Sequence, residues 1–127
     1  MKRVSEPRQS ERAEQESLVA WADSAAAGGL QELFYLHASL NGERLTPGQA
    51  VRAKRAGLRP GVPDLFLPEP RGGFHGLFLE LKTRVGRLSP AQVAWHAWLA
   101  SRGYAVVVAR SWGEGRAFIL EYLKGAK

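Results

Sequence analysis

The sequence predicts an α/β protein in which a mixed central sheet is flanked by helices. Stretches with helical periodicity alternate with short apolar runs, in the order helix, strand, helix, strand, strand, helix, strand, helix. The chain is 45% hydrophobic and 24% charged, which is the balance of an ordinary globular protein. Because 127 residues suffice for one core but not for two, we expect a single domain over residues 10–127, preceded by a flexible tail over residues 1–9.

The first elements follow from caps and apolar periodicity. Ser10 is suited to cap a helix whose apolar residues fall on one face, and Gly28-Gly29 is suited to end it. The apolar and aromatic segment 33–37 then predicts a short strand. Asn41-Gly42 predicts the turn that follows this strand.

Two further helices are predicted from the same opening pattern. Thr46-Pro47-Gly48-Gln49 and Ser89-Pro90-Ala91-Gln92 each place a capping hydroxyl first, a proline at the first helical position and a glutamine three residues after the cap. Gly57 is expected to end the first of these helices, and Gly103 is expected to end the second.

The remaining segments predict three strands and a final helix. Strands are expected at 64–67 and 76–83, and the connection through Arg71-Gly72-Gly73 makes them a hairpin. Residues 104–109 are almost wholly apolar, which predicts a strand buried on both faces. The last helix is expected over 113–124. Its inward residues are predicted to be Phe118, Ile119, Tyr122 and Leu123.

Composition narrows the classes of function. The net charge of +6 and the pI near 10.2 favour a polyanionic partner such as nucleic acid. The absence of cysteine excludes disulfides, a thiolate zinc site and a cysteine nucleophile. No apolar run approaches the roughly 20 residues that span a bilayer. We therefore expect a cytoplasmic protein without membrane association, and no motif indicates a nucleotide cofactor.

The segment Glu80-Leu81-Lys82 places two charges in an apolar strand. Side chains alternate along a strand, so Glu80 and Lys82 project to one side, about 7 Å apart, while Leu79 and Leu81 project to the other. Burial of such charges costs several kcal/mol each unless they are paired or bind a metal. The segment is therefore either a solvated edge strand or part of a site.

Asp64 favours the second interpretation. It begins the strand that should pair with the strand of Glu80, so a hairpin would bring the two carboxylates together. Two adjacent carboxylates repel unless a cation lies between them, and Mg²⁺ prefers oxygen ligands. The alternative is that Asp64 serves only as a turn residue.

Pro63-Asp64 followed sixteen positions later by Glu80-Leu81-Lys82 is similar to the PD-(D/E)XK nuclease signature. A longer succession of segments resembles the VRR-NUC family of virus-type replication-repair nucleases and covers roughly residues 14–110. These segments are Gly57 to Gly61, Val62 to Phe66, Leu79 to Thr83, Gly86 to Pro90, Gln92 and Gly103-Tyr104, with His37 and Asn41-Gly42 upstream. The proline expected just before Asn41 is absent.

The resemblance implies a restriction-endonuclease-like fold and a set of site residues. Asp64 and Glu80 would hold Mg²⁺ (or Mn²⁺), and the carbonyl of Leu81 would supply a third oxygen. Lys82 would lie beside the attacking water. Gln92 matches the family's glutamine in the helix after the catalytic strand, although it also suits a capping box with Ser89.

The family also draws an acidic residue from its first helix. Glu16 is our assignment, Glu14 is its competitor, and the alternative is an exposed, solvated glutamate. Basic residues on both sides of the predicted site in sequence indicate a DNA path, although any one of them could belong to a solvated face. These residues are Arg52, Lys54, Arg55, Arg59, Arg84 and Arg87.

The function that the resemblance implies is hydrolysis of phosphodiester bonds by a metal-dependent, structure-selective DNA endonuclease. Stand-alone members of this family form homodimers and act on branched DNA such as four-way junctions. A small chain has little room for sequence-reading elements, which agrees with recognition through the DNA backbone. The alternatives are a non-catalytic DNA-binding module of the same fold, or a flap-type or restriction-type nuclease.

Overall fold

A mixed sheet forms the centre of the molecule, and helices pack on both of its faces. The computed structural model describes residues 10–39 and 45–127. The predicted tail 1–9 and the predicted turn Asn41-Gly42 lie outside these ranges. The elements are α1 (Glu11–Ala27), a 3₁₀-helix (Gln31–Tyr35), β1 (His37–Ala38), α2 (Pro47–Arg55), β2 (Leu65–Leu67), β3 (Leu77–Leu81), α3 (Pro90–Ser101), β4 (Ala105–Ala109) and α4 (Trp112–Leu123).

The strands lie in the order β1-β2-β3-β4. β1 pairs with β2 and β2 pairs with β3 in antiparallel fashion, which confirms the predicted hairpin. β4 pairs with β3 in parallel fashion, and α3 forms the crossover between them. The predicted α/β fold with a mixed central sheet is confirmed.

The helices begin where the capping pattern predicts. Ser10 accepts a hydrogen bond from the backbone N–H of Ala13 at 3.1 Å, which closes the first turn of α1. Both predicted capping boxes are formed. In α2 the pair is Thr46 and Gln49, and in α3 it is Ser89 and Gln92. Local hydrogen bonding therefore stabilises these helix starts where the sequence pattern places them.

The two faces of the sheet carry different side chains. Leucines from β2 and β3 point to one face and form the core with α1 and α4. These core residues include Leu18, Ala22, Leu65, Leu67, Leu77, Leu79, Leu81 and Ile119. The opposite face carries Phe66 and Phe78, stacked at 4.3 Å, and Glu80. The predicted inward residues of α4 pack against the leucine core, as expected.

The predicted strand over 33–37 is wrong in most of its length. A 3₁₀-helix occupies Gln31–Tyr35, and only His37 continues into β1. Leu33 and Leu36 are both buried, three residues apart, whereas Phe34 and Tyr35 are exposed. This spacing matches the three-residue turn of a 3₁₀-helix. The hydrophobic composition of the segment, taken alone, does not distinguish such a helix from a strand.

Two strand predictions also needed correction. β4 is an edge strand, so four of its five residues are only partly buried, and the prediction of burial on both faces is wrong. The strand predicted over 76–83 is shorter, because pairing covers only Leu77–Leu81. No helix in the described ranges is both long and apolar enough to cross a membrane.

Candidate active site

Pairing between β2 and β3 brings Asp64 next to Glu80. The register places Leu65 opposite Leu79, so Asp64, one residue before β2, lies across from Glu80. The backbone N–H of Leu81 donates to Asp64 Oδ2 at 2.7 Å. The carboxyl groups of Asp64 and Glu80 are in hydrogen-bonding contact. The two carboxyls therefore lie side by side at the end of the hairpin.

Burial makes this carboxyl pair electrostatically costly. Glu80 is only 2% exposed. Burial, together with the adjacent Asp64 carboxylate, raises the pKa of Glu80 to about 9. Burial also raises the pKa of Asp64. At neutral pH the pair therefore retains a proton unless a cation compensates the second negative charge.

Lys82 lies at the same end of β3. Its backbone N–H donates to the carbonyl of Ala109 at 3.0 Å, which fixes the chain at this point. The positive charge of Lys82 lowers the pKa of both Asp64 and Glu80, although burial outweighs it. The structure thus brings three sequence-predicted residues together: two acids and one ammonium group.

Helix α3 closes the site from the side opposite the leucine core. The amide Nε2 of Gln92 lies 3.4 Å from Glu80 Oε2, while Gln92 Oε1 accepts from the backbone N–H of Ser89 at 2.8 Å. Gln92 therefore makes both the capping contact and the contact with the site. His96, one turn further along α3, lies with Nε2 3.1 Å from Glu80 Oε1.

The three acidic residues near the start of α1 have different partners. Glu11 Oε2 accepts from the backbone N–H of Thr83 at 3.0 Å, and its charge raises the pKa of Asp64 and Glu80. Glu14 Oε1 accepts from the backbone N–H of Trp112 at 2.9 Å. Glu16 is 70% exposed and lies 3.5 Å from Arg12. Of the three, Glu11 is the acid that α1 brings to the site.

A periodicity signal could have excluded Glu16 and left Glu11 and Glu14. Glu11 precedes the buried Leu18 by seven residues and Glu14 precedes it by four, so both lie on the inward stripe of α1. Glu16 lies off this stripe. The sequence prediction relied on proximity to the apolar segment instead of extending the stripe back to the helix start.

Arg110 is a further site-shaping residue that the sequence analysis missed. Its guanidinium Nη1 donates to the carbonyl of Thr83 at 3.0 Å and also to the carbonyl of Gly86. These contacts fix the loop that follows Lys82. Arg110 directly follows β4, and neighbouring parallel strands end at the same edge of a sheet, so this position was in principle predictable.

The predicted DNA-contacting residues are all solvent-exposed. Three of them lie on α2, which has no buried residue. Arg59 donates weakly to the carbonyls of Lys54 and Leu58, at 3.4 and 3.5 Å. The exposed set comprises Arg52, Lys54, Arg55, Arg59, Arg84 and Arg87. Their guanidinium and ammonium groups are available to phosphate.

A close backbone contact joins the α2 connection to α3. Gly61 has a φ of +97°, and a Cβ at this position would lie 2.6 Å from the backbone carbonyl carbon and oxygen of Ala91. Only glycine fits there. This contact sets the segment that leads into Asp64 directly against the start of the helix that carries Gln92.

The donor set fits a hard divalent cation held by few protein ligands. Within residues 10–39 and 45–127, no three His, Cys, Asp or Glu side chains are arranged to hold a metal. Asp64 and Glu80 nevertheless supply two adjacent carboxylates. Mg²⁺ is usually bound through one or two carboxylates, retaining waters and substrate phosphate oxygens as its other ligands. Asp64 and Glu80 are therefore the residues that would hold such an ion.

Comparisons with known proteins identify the family and agree with the fold. The sequence profile of the VRR-NUC domain matches residues 7–112. None of the curated proteins matches the chain. A solved structure described as a VRR_NUC domain protein is 29% identical, with a TM-score of 0.80 over 97% of this chain and 94% of that one. The chain therefore belongs to the VRR-NUC family, whose domain is of a nuclease type that processes DNA.

Proposed function

We propose that the protein is a divalent-metal-dependent, structure-selective DNA endonuclease that hydrolyses phosphodiester bonds in branched DNA such as four-way (Holliday) junctions. One observation carries the proposal. The partly buried Asp64 and the buried Glu80 are in contact and lie beside Lys82 in a member of a nuclease-type family. A domain that only bound DNA would gain nothing from two carboxylates whose charges repel phosphate.

The carboxylates of Asp64 and Glu80 would hold Mg²⁺ (or Mn²⁺), with the carbonyl of Leu81 as a third oxygen. The buried pair needs a positive charge to be fully ionised at neutral pH, which supports this assignment. When bound, the cation would neutralise charge on the phosphate and make a water molecule more acidic. The N–H of Leu81 donates to Oδ2 of Asp64 and so fixes the orientation of this carboxylate.

Lys82, Gln92 and an acid from α1 complete the proposed catalytic set. Lys82 would place a fixed positive charge next to the phosphate, where charge develops during hydrolysis. Gln92 would hold Glu80 through its amide. In place of Glu16 we propose Glu11 as the acid from the first helix, since its charge acts on Asp64 and Glu80.

DNA would be bound through its backbone. The net charge of +6 and the exposed cations of α2 and of the loop after Lys82 supply phosphate contacts without base reading. We also propose a homodimer, because two copies of the site would cut the two opposing strands of a junction.

The test is a cleavage panel of linear duplex, 5′-flap, splayed-arm and four-way DNA with Mg²⁺, with Mn²⁺ and with a chelator. We expect cutting of the four-way substrate with either metal and none with chelator, restored on adding metal back. Binding without cleavage under every metal condition would show a non-catalytic module instead. Preferential cutting of the flap, or of a linear duplex at defined sequences, would show a flap-type or restriction-type nuclease.

A further inference from the structure

His96 lies on the side of Glu80 that faces α3. Its Nε2 is 3.1 Å from Glu80 Oε1, while the amide of Gln92 reaches the other oxygen, Oε2, at 3.4 Å. Gln92 and His96 are four residues apart and therefore project from the same face of α3. Each oxygen of Glu80 thus has its own nitrogen from a single helix.

The contact between His96 and Glu80 is shielded from water. The side chain of Glu80 is 2% exposed and that of His96 is 13% exposed. A carboxylate can only accept, so Nε2 carries a hydrogen and donates it when Glu80 is ionised.

Geometry distinguishes this contact from ordinary helix packing. α3 packs on β4 and buries the apolar side chain of Leu99, so apolar burial also contributes to its position. A carboxylate has two lone-pair directions on each oxygen, so the contacts from α3 still leave positions for a cation. What the imidazole adds is a fixed orientation for a side chain that would otherwise rotate about its terminal torsion.

We propose that His96 is a positioning residue, which donates from Nε2 to Glu80 Oε1 and holds this carboxylate facing Asp64, in the orientation that grips a divalent cation. The inference rests on the proposed metal-dependent function. Groups that orient a ligand in this way commonly change metal affinity by about 10–100-fold when they are removed.

Matched substitutions test the role by direct metal binding. H96Q places an amide N–H close to the position of Nε2, whereas H96L and H96M fill the space without a donor. Mn²⁺ affinity is measured by calorimetry on the DNA-free full chain after chelator treatment, with melting curves for every variant. V93A is the control, because Val93 lies exposed on the same helix.

We expect H96L and H96M to lose about 10-fold or more in Mn²⁺ affinity. H96Q and V93A should stay within about threefold of the native chain, which is less than that range. Because two apolar variants are made, the comparison holds if either one folds. Native Mn²⁺ affinity in a folded H96L or H96M, or an equal loss in H96Q, would overturn the positioning role. Absence of Mn²⁺ binding by the native chain would instead refute the proposed metal-dependent function itself.

Discussion

Helices α2 and α3 begin in the same way but do different work. Both open with a hydroxyl cap, a proline and a glutamine that completes a capping box. Gln49 uses its side chain for the cap of α2. Gln92 makes the equivalent contact in α3 and also reaches Glu80. The same local pattern therefore serves one exposed helix and one helix that builds a site.

Tertiary packing accounts for the difference. α2 has no buried residue and exposes Val51 among its basic side chains. α3 packs against β4 and directs Gln92 and His96 at a buried carboxylate. Changes at the site beneath α3 should therefore affect catalysis and stability, whereas changes on α2 should affect DNA affinity alone.

The largest effect on DNA cleavage is expected from substitution of Glu80 and Lys82. E80Q and K82M should each reduce cleavage of four-way DNA by about 1000-fold or more, because several kcal/mol of transition-state stabilisation depend on the cation and the ammonium group. Junction binding, measured by mobility shift, should remain. E121Q is the control, since Glu121 is exposed on α4. Substantial turnover by purified E80Q would refute the site.

A smaller effect on the cleavage rate is expected on α1, where it should distinguish Glu11 from Glu16. E11Q should lower the cleavage rate by about 10–100-fold, the range for residues that support a metal site. E16Q should stay near the native rate, because Glu16 is exposed and pairs only weakly with Arg12. Single-turnover rates at saturating metal are the measurement. The reverse ranking would return the role to Glu16.

Removal of positive charge from α2 tests whether this helix affects DNA affinity alone. R52A/K54A/R55A should weaken junction binding by about tenfold and reduce the salt slope by roughly 2 to 3, since each phosphate contact contributes about 0.9. The melting temperature should not change, because α2 buries no residue. K124A serves as a control that removes one exposed charge from the end of α4. An unchanged slope in the triple variant would place the DNA elsewhere.

The smallest effect is expected on the pH dependence of thermal stability, measured in chelator so that no divalent cation is bound. The pKa of Glu80 is raised in the folded state to about 9, so the folded chain binds the extra proton more tightly than the unfolded chain does. The stability from this proton is present in full below the unfolded pKa near 4.5 and is lost as pH rises toward 9. Each pH unit in this window should cost at most about 1.4 kcal/mol, or about 5 °C in Tm.

E80Q is the comparison for that titration. Its Tm should vary less between pH 5.5 and pH 8.5 than the native Tm, because its amide does not ionise. Thermal melts followed by circular dichroism give both curves. Parallel curves for the two proteins would show that Glu80 is ionised in the folded state at these pH values even without a cation.

Local chemistry explains what the sequence could predict. Caps, glycine ends and turn residues act over a few positions, so they predicted α1, α2 and α3 closely. Strand alternation and the hairpin predicted that Asp64 and Glu80 would meet, and the structure brings them together. These features need no knowledge of distant packing.

Distant packing explains what the sequence could not predict. The burial of β4 depends on its place at the sheet edge, which no local pattern encodes. His96 reaches the site from α3, and it belongs to no recognisable motif. The register of α1 determines that Glu11, and not Glu16, faces the site. A shift of a few residues in the expected register was enough to make the prediction wrong.

The central claim is that a divalent cation binds between Asp64 and Glu80. The most direct measurement is the anomalous scattering of Mn²⁺ in crystals of the native chain soaked at low millimolar concentration. We expect one strong peak within about 2.5 Å of carboxylate oxygens from both residues, slightly beyond the Mg²⁺ ligand distance. A cleavage-competent protein that shows no peak there, or a peak bound by other residues, would contradict the account.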